Sequence, residues 1–199
     1  MTLATLEQVL QPALKGGYAV AGLVTLGWED MRAYVEAAEA EGCPVILQAG
    51  PSCRAHTPLP VLGKMFRYLA ENASVPVVVH LDHGYTFDEC RAALDSGFTS
   101  LMFDGSRKPL SQNIDETAAI AARFARETGV DAMAVSVGNV HLQQDKQGGL
   151  DEPRIRAIEA VTTVPLVIHG GSGVPVVQRQ ALARGSKICK FNIGTELRM

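Results

Sequence analysis

Val75-Pro76-Val77-Val78-Val79-His80-Leu81-Asp82-His83-Gly84 is the stretch whose reading decides the fold. Its apolar part is continuous, not alternating, and that marks a strand covered on both faces, as in a parallel sheet. It closes on a carboxylate, an imidazole and a glycine. Two other apolar runs, 132–137 and 164–168, are followed in the same way by His141 and His169, beside Gly138 and Gly170. The ends of parallel strands gather on one rim of a barrel, so this repeated placement would bring three imidazoles and a carboxylate to one place.

Working outward, strand-like and helix-like segments alternate. Strands are expected over 18–25, 44–48, 77–81, 100–103, 132–137, 164–168 and 188–193. A helix over 29–41 carries Met31, Tyr34, Val35 and Ala38 on one face, and a helix over 60–72 carries Leu62, Met65, Phe66 and Leu69. Thr86-Phe87-Asp88-Glu89 has the capping-box spacing and opens a helix that runs through Leu94. Further helices are expected over 113–128, 153–161 and 175–183. Regular βα repetition without a dinucleotide fingerprint predicts an α/β fold of the TIM (β/α)8 barrel kind. Seven strands are legible where eight are needed, and a whole barrel of this kind runs to about 250 residues. The expectation is a single barrel domain over 1–199. One βα segment would be absent between about 113 and 128, and the C-terminal helices would be absent after 199.

Composition narrows the function classes. Of 199 residues, 47% are apolar and 20% charged, with a net charge of −3, so no basic footprint for nucleic acid is present. No apolar run is long enough to span a bilayer, and the N-terminus does not read as a secretory signal. Cys43, Cys53, Cys90 and Cys189 form no C-x-x-C pair and read as free thiols of a cytoplasmic enzyme.

Three neutral imidazoles from His83, His141 and His169, with one position left open, suit a catalytic Zn2+ site, and cobalt or iron would also fit. Asp82 precedes the first of these ligands. In a regular strand the two side chains would point to opposite faces, but at a strand end the backbone turns and both can reach the site. A carboxylate there can serve as general acid/base, or it can cap a helix or form a salt bridge. His80 reads as a buried residue behind the ligands. Asp104, at the end of Leu101-Met102-Phe103-Asp104, either orients a ligand, holds a second cation or starts a turn. His169-Gly170-Gly171-Ser172-Gly173 and Asn192-Ile193-Gly194-Thr195 follow the last two strands, where barrels of this kind usually bind phosphate. Glycine lets backbone N–H groups approach an anion, and hydroxyls add donors. Lys190 and Arg198 lie nearby in sequence and read equally well as solvated.

Together these motifs resemble the class II, metal-dependent ketose-bisphosphate aldolases. The matching residues are 80–84, 103–106, 138–141, 169–175 and 192–198, with Tyr18-Ala19-Val20 near the start. The resemblance implies Zn2+ held by His83, His141 and His169, with Asp82 moving the proton at the C4 oxygen. It also implies a ketose phosphate bound by Gly170, Gly171, Ser172, Asn192, Ile193, Gly194 and Thr195, and a monovalent cation supporting that phosphate. A homodimer or homotetramer is the implied assembly. The chain departs from the family where Leu23-Val24-Thr25-Leu26 lacks the usual Asn, and where Leu142 follows His141 in place of Gly. The strand and mobile loop that precede the 138–141 motif in the family, and that supply a Glu for proton transfer on the enediolate, have no counterpart.

The reaction implied is reversible cleavage of a phosphorylated ketose into dihydroxyacetone phosphate and an aldehyde. Fructose, tagatose and deoxy-ketogluconate phosphates stay open as substrates. A metal-dependent hydrolase and a catalytically silent metal- or sugar-phosphate-binding barrel are the other readings.

Overall fold

The computed structural model describes residues 2–104, 132–135, 149–161 and 165–197. His141, the motif around it, the expected helix over 113–128 and Arg198 lie outside them. In chain order the strands are β1 Leu3–Ala4, β2 Val20–Thr25, β3 Val45–Ala49, β4 Val77–Gly84, β5 Ser100–Phe103, β6 Met133–Val135, β7 Leu166–Ile168 and β8 Ile188–Ile193. The helices are α1 Leu6–Gly16, α2 Trp28–Glu41, α3 Pro51–His56, α4 Leu59–Asn72, α5 Phe87–Asp95, α6 Glu152–Val161 and α7 Val176–Gly185.

Every strand pairing is parallel. The strands β6, β7, β8, β2, β3 and β4 lie side by side in that order, and β1 and β5 share the far edge of β4. Among the described residues β5 and β6 are the margins of the sheet and do not pair with each other.

The alternation of side chains along each strand separates two environments. Val45, Leu47 and Ala49 of β3 and Val77, Val79 and Leu81 of β4 pack outward against Met31, Val35 and Ala38 of α2, Leu62, Phe66 and Ala70 of α4, and Cys90 and Ala93 of α5. Ile46 and Val78 point the other way, into a second cluster with Val20, Cys189 and the apolar face of α1, Leu6, Val9, Leu10 and Ala13. The base of the sheet interior is therefore apolar. Higher along the same strands the interior turns polar: Gln48 pairs in register with His80, and His80 with Ser100. All three are buried. That gradient aims the polar end of the interior at the carboxyl ends of the strands.

Three elements are additional to those expected from sequence: β1, α1 and the six-residue helix α3. The strand β1 is only two residues long, too short to show a period, and it brings the strands among the described residues to eight. The helix α1 follows it. Its capping box is present, with Thr5 Oγ1 accepting from the Gln8 N–H and Gln8 Oε1 accepting from the Thr5 N–H. In α5 the expected cap is half made. Thr86 Oγ1 accepts from the Glu89 N–H, but the Glu89 carboxylate accepts from Tyr85 N–H and Arg54. All four cysteines are free, and only Cys43 is exposed. No helix among the described residues is long and apolar enough to cross a membrane.

Candidate active site

Asp82 and His83 are consecutive residues in β4, yet both face one centre. The cause is local backbone: His83 has φ +56°, the only non-glycine residue with positive φ among the described residues. The pairing of β4 with β5 shifts register between Leu81 and Gly84 at the same place. A bulge of this kind bends the strand and re-aims a side chain. A left-handed conformation at a non-glycine residue costs about 1–3 kcal/mol and persists only where the surroundings hold it.

The side-chain ligand atoms of Asp82, His83 and His169 lie within 4.8 Å of one another. The rings of His83 and His169 meet edge to face, with centroids 4.9 Å apart. Asp82 Oδ2 is 3.8 Å from His83 Nε2. Asp82 Oδ1 is buried and has no hydrogen-bond partner among the described residues. A buried carboxylate oxygen left unpaired is costly, so this donor set fits a divalent cation well. Nitrogen and oxygen donors converge, and the third imidazole expected from sequence, His141, lies outside the described residues.

Asp104 is buried and sits 2.6 Å from His83 Nδ1. This contact turns His83 Nε2 towards Asp82 and His169, the arrangement by which a carboxylate orients a ligating imidazole. Of the three readings open for Asp104 from sequence, the geometry favours this one. Asp104→Asn is expected to weaken Zn2+ binding by about 10–100-fold without unfolding the chain, measured by competition with a chromophoric chelator.

Behind these residues lies a polar layer. The Asn192 amide nitrogen is 2.9 and 3.1 Å from the two ring nitrogens of His169. The side chain assigned from sequence to the phosphate site thus turns inward against a candidate ligand. With the Gln48 amide turned so that its donor and acceptor meet complementary groups, its nitrogen donates to the Gly22 carbonyl (3.0 Å) and its oxygen accepts from Asn192 Nδ2 (3.2 Å) and Lys190 Nζ (2.9 Å). A Cβ at position 22 would sit 2.9 Å from Asn192 Oδ1 and 3.0 Å from Lys190 Cε, so only glycine leaves room for this layer. His80 is fully buried and bonded through Nδ1 to Ser100 Oγ (2.6 Å). Burial first, and then the charge of Lys190, hold its imidazole neutral.

Of the readings left open for Lys190, the structure excludes solvation: the residue is 2% exposed. Its sequence neighbours do not reveal that this position of β8 is buried. Burial pushes its ammonium down to about 8, against the pull of Asp82. Between about pH 8 and 10.5 the unfolded chain therefore holds a proton that the folded chain has released, and stability rises with pH through Lys190. Buried Cys90 and Cys189, pushed up to about 11 and about 12, act in the opposite sense above pH 9. The expected result is a urea midpoint that rises from pH 8 to 9 in the wild type, and a rise that is absent in Lys190→Met.

The two glycine loops stand together. Gly170 takes φ +64°, and Gly171–Gly173 forms a 3-10 turn after it. Ser172 Oγ accepts from the backbone N–H groups of Gly194 (3.3 Å) and Glu196 (3.2 Å), which ties the loop after β7 to the loop after β8. The hydroxyl assigned from sequence to an anion thus also fastens the two loops. Gly171 packs against the backbone and side chain of β8, and a Cβ there would meet the Asn192 carbonyl oxygen at 3.0 Å. Ile193 belongs to the apolar cluster beneath, and Thr195 is half-buried at the rim.

The family model described as "Fructose-bisphosphate aldolase class-II" matches residues 4–125 and 119–199. The chain belongs to the class II fructose-bisphosphate aldolase family. It is 31% identical to a fructose-bisphosphate aldolase of Geobacillus stearothermophilus, over 98% of this chain and 82% of the relative. It is 32% identical to the 6-phospho-5-dehydro-2-deoxy-D-gluconate aldolase of Shouchella clausii, over 98% of this chain and 80% of the relative. Among solved structures, the YdjI aldolase of Escherichia coli K12 superposes with a TM-score of 0.80 at 28% identity, covering 98% of this chain and 82% of that one. A fructose-bisphosphate aldolase from Campylobacter jejuni shares the fold, with a TM-score of 0.75 at 19% identity and 98% and 78% coverage. The fold of this aldolase-family chain is thus the (β/α)8 barrel expected from its sequence. The alignment to the Geobacillus enzyme spans 237 positions but takes in 98% of 199 residues, so about 40 positions of that relative have no counterpart here.

Proposed function

We propose that the chain reversibly cleaves a phosphorylated ketose into dihydroxyacetone phosphate and an aldehyde. The carrying observation is the convergence of Asp82, His83 and His169 within 4.8 Å, with a carboxylate oxygen buried and unpartnered. His83 and His169, together with His141, would hold a divalent cation, of which Zn2+ suits the imidazole donors best. When bound, that cation would supply Lewis-acid polarisation of the ketose carbonyl.

The chain's own residues do the rest. Asp82 takes the proton from the C4 hydroxyl during cleavage and returns it during condensation. Asp104 holds His83, and Asn192 backs His169. Gly170, Gly171, Ser172, Gly194 and Thr195 receive the phosphate, and so fix the reacting carbons relative to Asp82. The substrate is fructose 1,6-bisphosphate, tagatose 1,6-bisphosphate or a deoxy-ketogluconate phosphate. The Geobacillus and Shouchella relatives are named for the first and the last of these.

A second reading has its own support. The roughly 40 positions without a counterpart lie inside the alignment, and the family match breaks near residues 119–125. A barrel that lacks this segment, and with it the second acid/base, would bind metal and sugar phosphate without turnover. Assay of the zinc-loaded chain with each of the three substrates separates the readings. Release of triose phosphate supports the aldolase. Calorimetric binding of dihydroxyacetone phosphate with no product from any substrate supports the silent barrel, and release of inorganic phosphate would overturn both.

A further inference from the structure

The bulged turn at Asp82–His83 is held from outside by one side chain. Arg54, in α3, has a side chain that is 7% exposed. Its Nη1 donates to the carbonyl oxygens of Ala49 (2.7 Å) and Asp82 (2.6 Å), and its Nη2 donates to that of His83 (2.9 Å). Its Nε donates to Glu89 Oε1 (2.9 Å), and Glu89 Oε2 accepts from the Tyr85 N–H (2.8 Å). One planar fork therefore ties the end of β3, both carbonyls of the bulge and the first turn of α5. The two carbonyls it engages belong to the residues that supply the carboxylate and the first imidazole. A regular strand would point those two side chains to opposite faces.

We propose that Arg54 is a positioning residue: its guanidinium, itself fixed by Glu89, holds the left-handed turn at His83 that lets Asp82 and His83 face the same cation. This rests on the reading of Asp82, His83 and His169 given above. Lysine cannot replace the fork, because an ammonium is a point charge without the planar spread of five donors that reaches three carbonyls and a carboxylate.

The test is Co2+ titration of the metal-free chain, read by the visible ligand-field bands, alongside urea unfolding without metal. His169→Ala is the control for the site itself. If the wild type binds no Co2+, or binds it equally well in His169→Ala, the metal site is elsewhere, and the proposal falls with it. If Co2+ binding depends on His169, Arg54→Met is expected to bind Co2+ about 10–100-fold more weakly, with altered band intensities, and Arg54→Lys to recover only part of this. An Arg54→Met chain that binds Co2+ within twofold of the wild type, with unchanged bands, would overturn the proposal, whatever its urea midpoint. Should Arg54→Met not fold, Glu89→Gln is read in its place. It frees the guanidinium and is expected to shift Co2+ affinity and bands in the same direction, and no shift there overturns the proposal equally.

Discussion

Asp82→Ala is expected to lower kcat for ketose-phosphate cleavage by about 10²–10⁴-fold, the range that a positioned general acid/base contributes, while the bound metal is retained. The side chain is buried at the carboxyl end of β4, with one oxygen 3.8 Å from His83 Nε2 and the other unpartnered. It is therefore close enough to the candidate cation to act on a substrate held there, and the imidazoles remain to hold the metal when it is removed. Turnover is measured by coupled detection of triose phosphate, and metal content by elemental analysis of the purified variant. Turnover lost together with metal would instead make Asp82 a ligand and would leave the C4 proton without an assigned base.

His169→Ala is expected to weaken Zn2+ binding by more than about a hundredfold, beyond what the loss of an outer hydrogen-bond partner causes, and to bring activity down to that of the chelated wild type. The ring is buried, faces His83 at 4.9 Å and is backed by the Asn192 amide. His80 Nε2 is also buried and unpartnered, but among the described residues the ligand atoms that converge are those of Asp82, His83 and His169, without His80. Zinc affinity is read by chelator competition and activity with and without added Zn2+. Full activity in His169→Ala at trace zinc would show that the cation is held by other groups.

The sequence carried the sheet because its strands are continuous apolar runs. The five residues of β3 are all buried, and so are the first six of β4, and that pattern distinguishes a doubly covered parallel sheet from a half-exposed one. It also carried the residues of the site, because their types stand out at strand ends. It could not carry their orientation. Strand alternation alone sends Asp82 and His83 to opposite faces, and only the positive φ of His83 brings them together. No local pattern announces a left-handed histidine.

Lys190 shows the same limit from another side. Its neighbours Cys189, Phe191 and Asn192 do not reveal which face is inward, and its burial follows from the pairing of β8 with β2 beside Gly22. Arg54 is likewise set by tertiary contact alone, in a six-residue helix too short to show a period. For α1 the signal was present in the Thr5–Gln8 capping pair at the start of the apolar positions Leu6, Val9, Leu10 and Ala13.

The central claim is that one divalent cation is shared by side chains from separate strands at the mouth of the barrel. Anomalous diffraction at the zinc edge, on crystals of the chain reloaded with one equivalent of Zn2+, tests it most directly. The account predicts a single peak between the imidazoles of His83 and His169, within reach of Asp82. A fully occupied zinc site elsewhere, or no peak with these two rings in place, would contradict it.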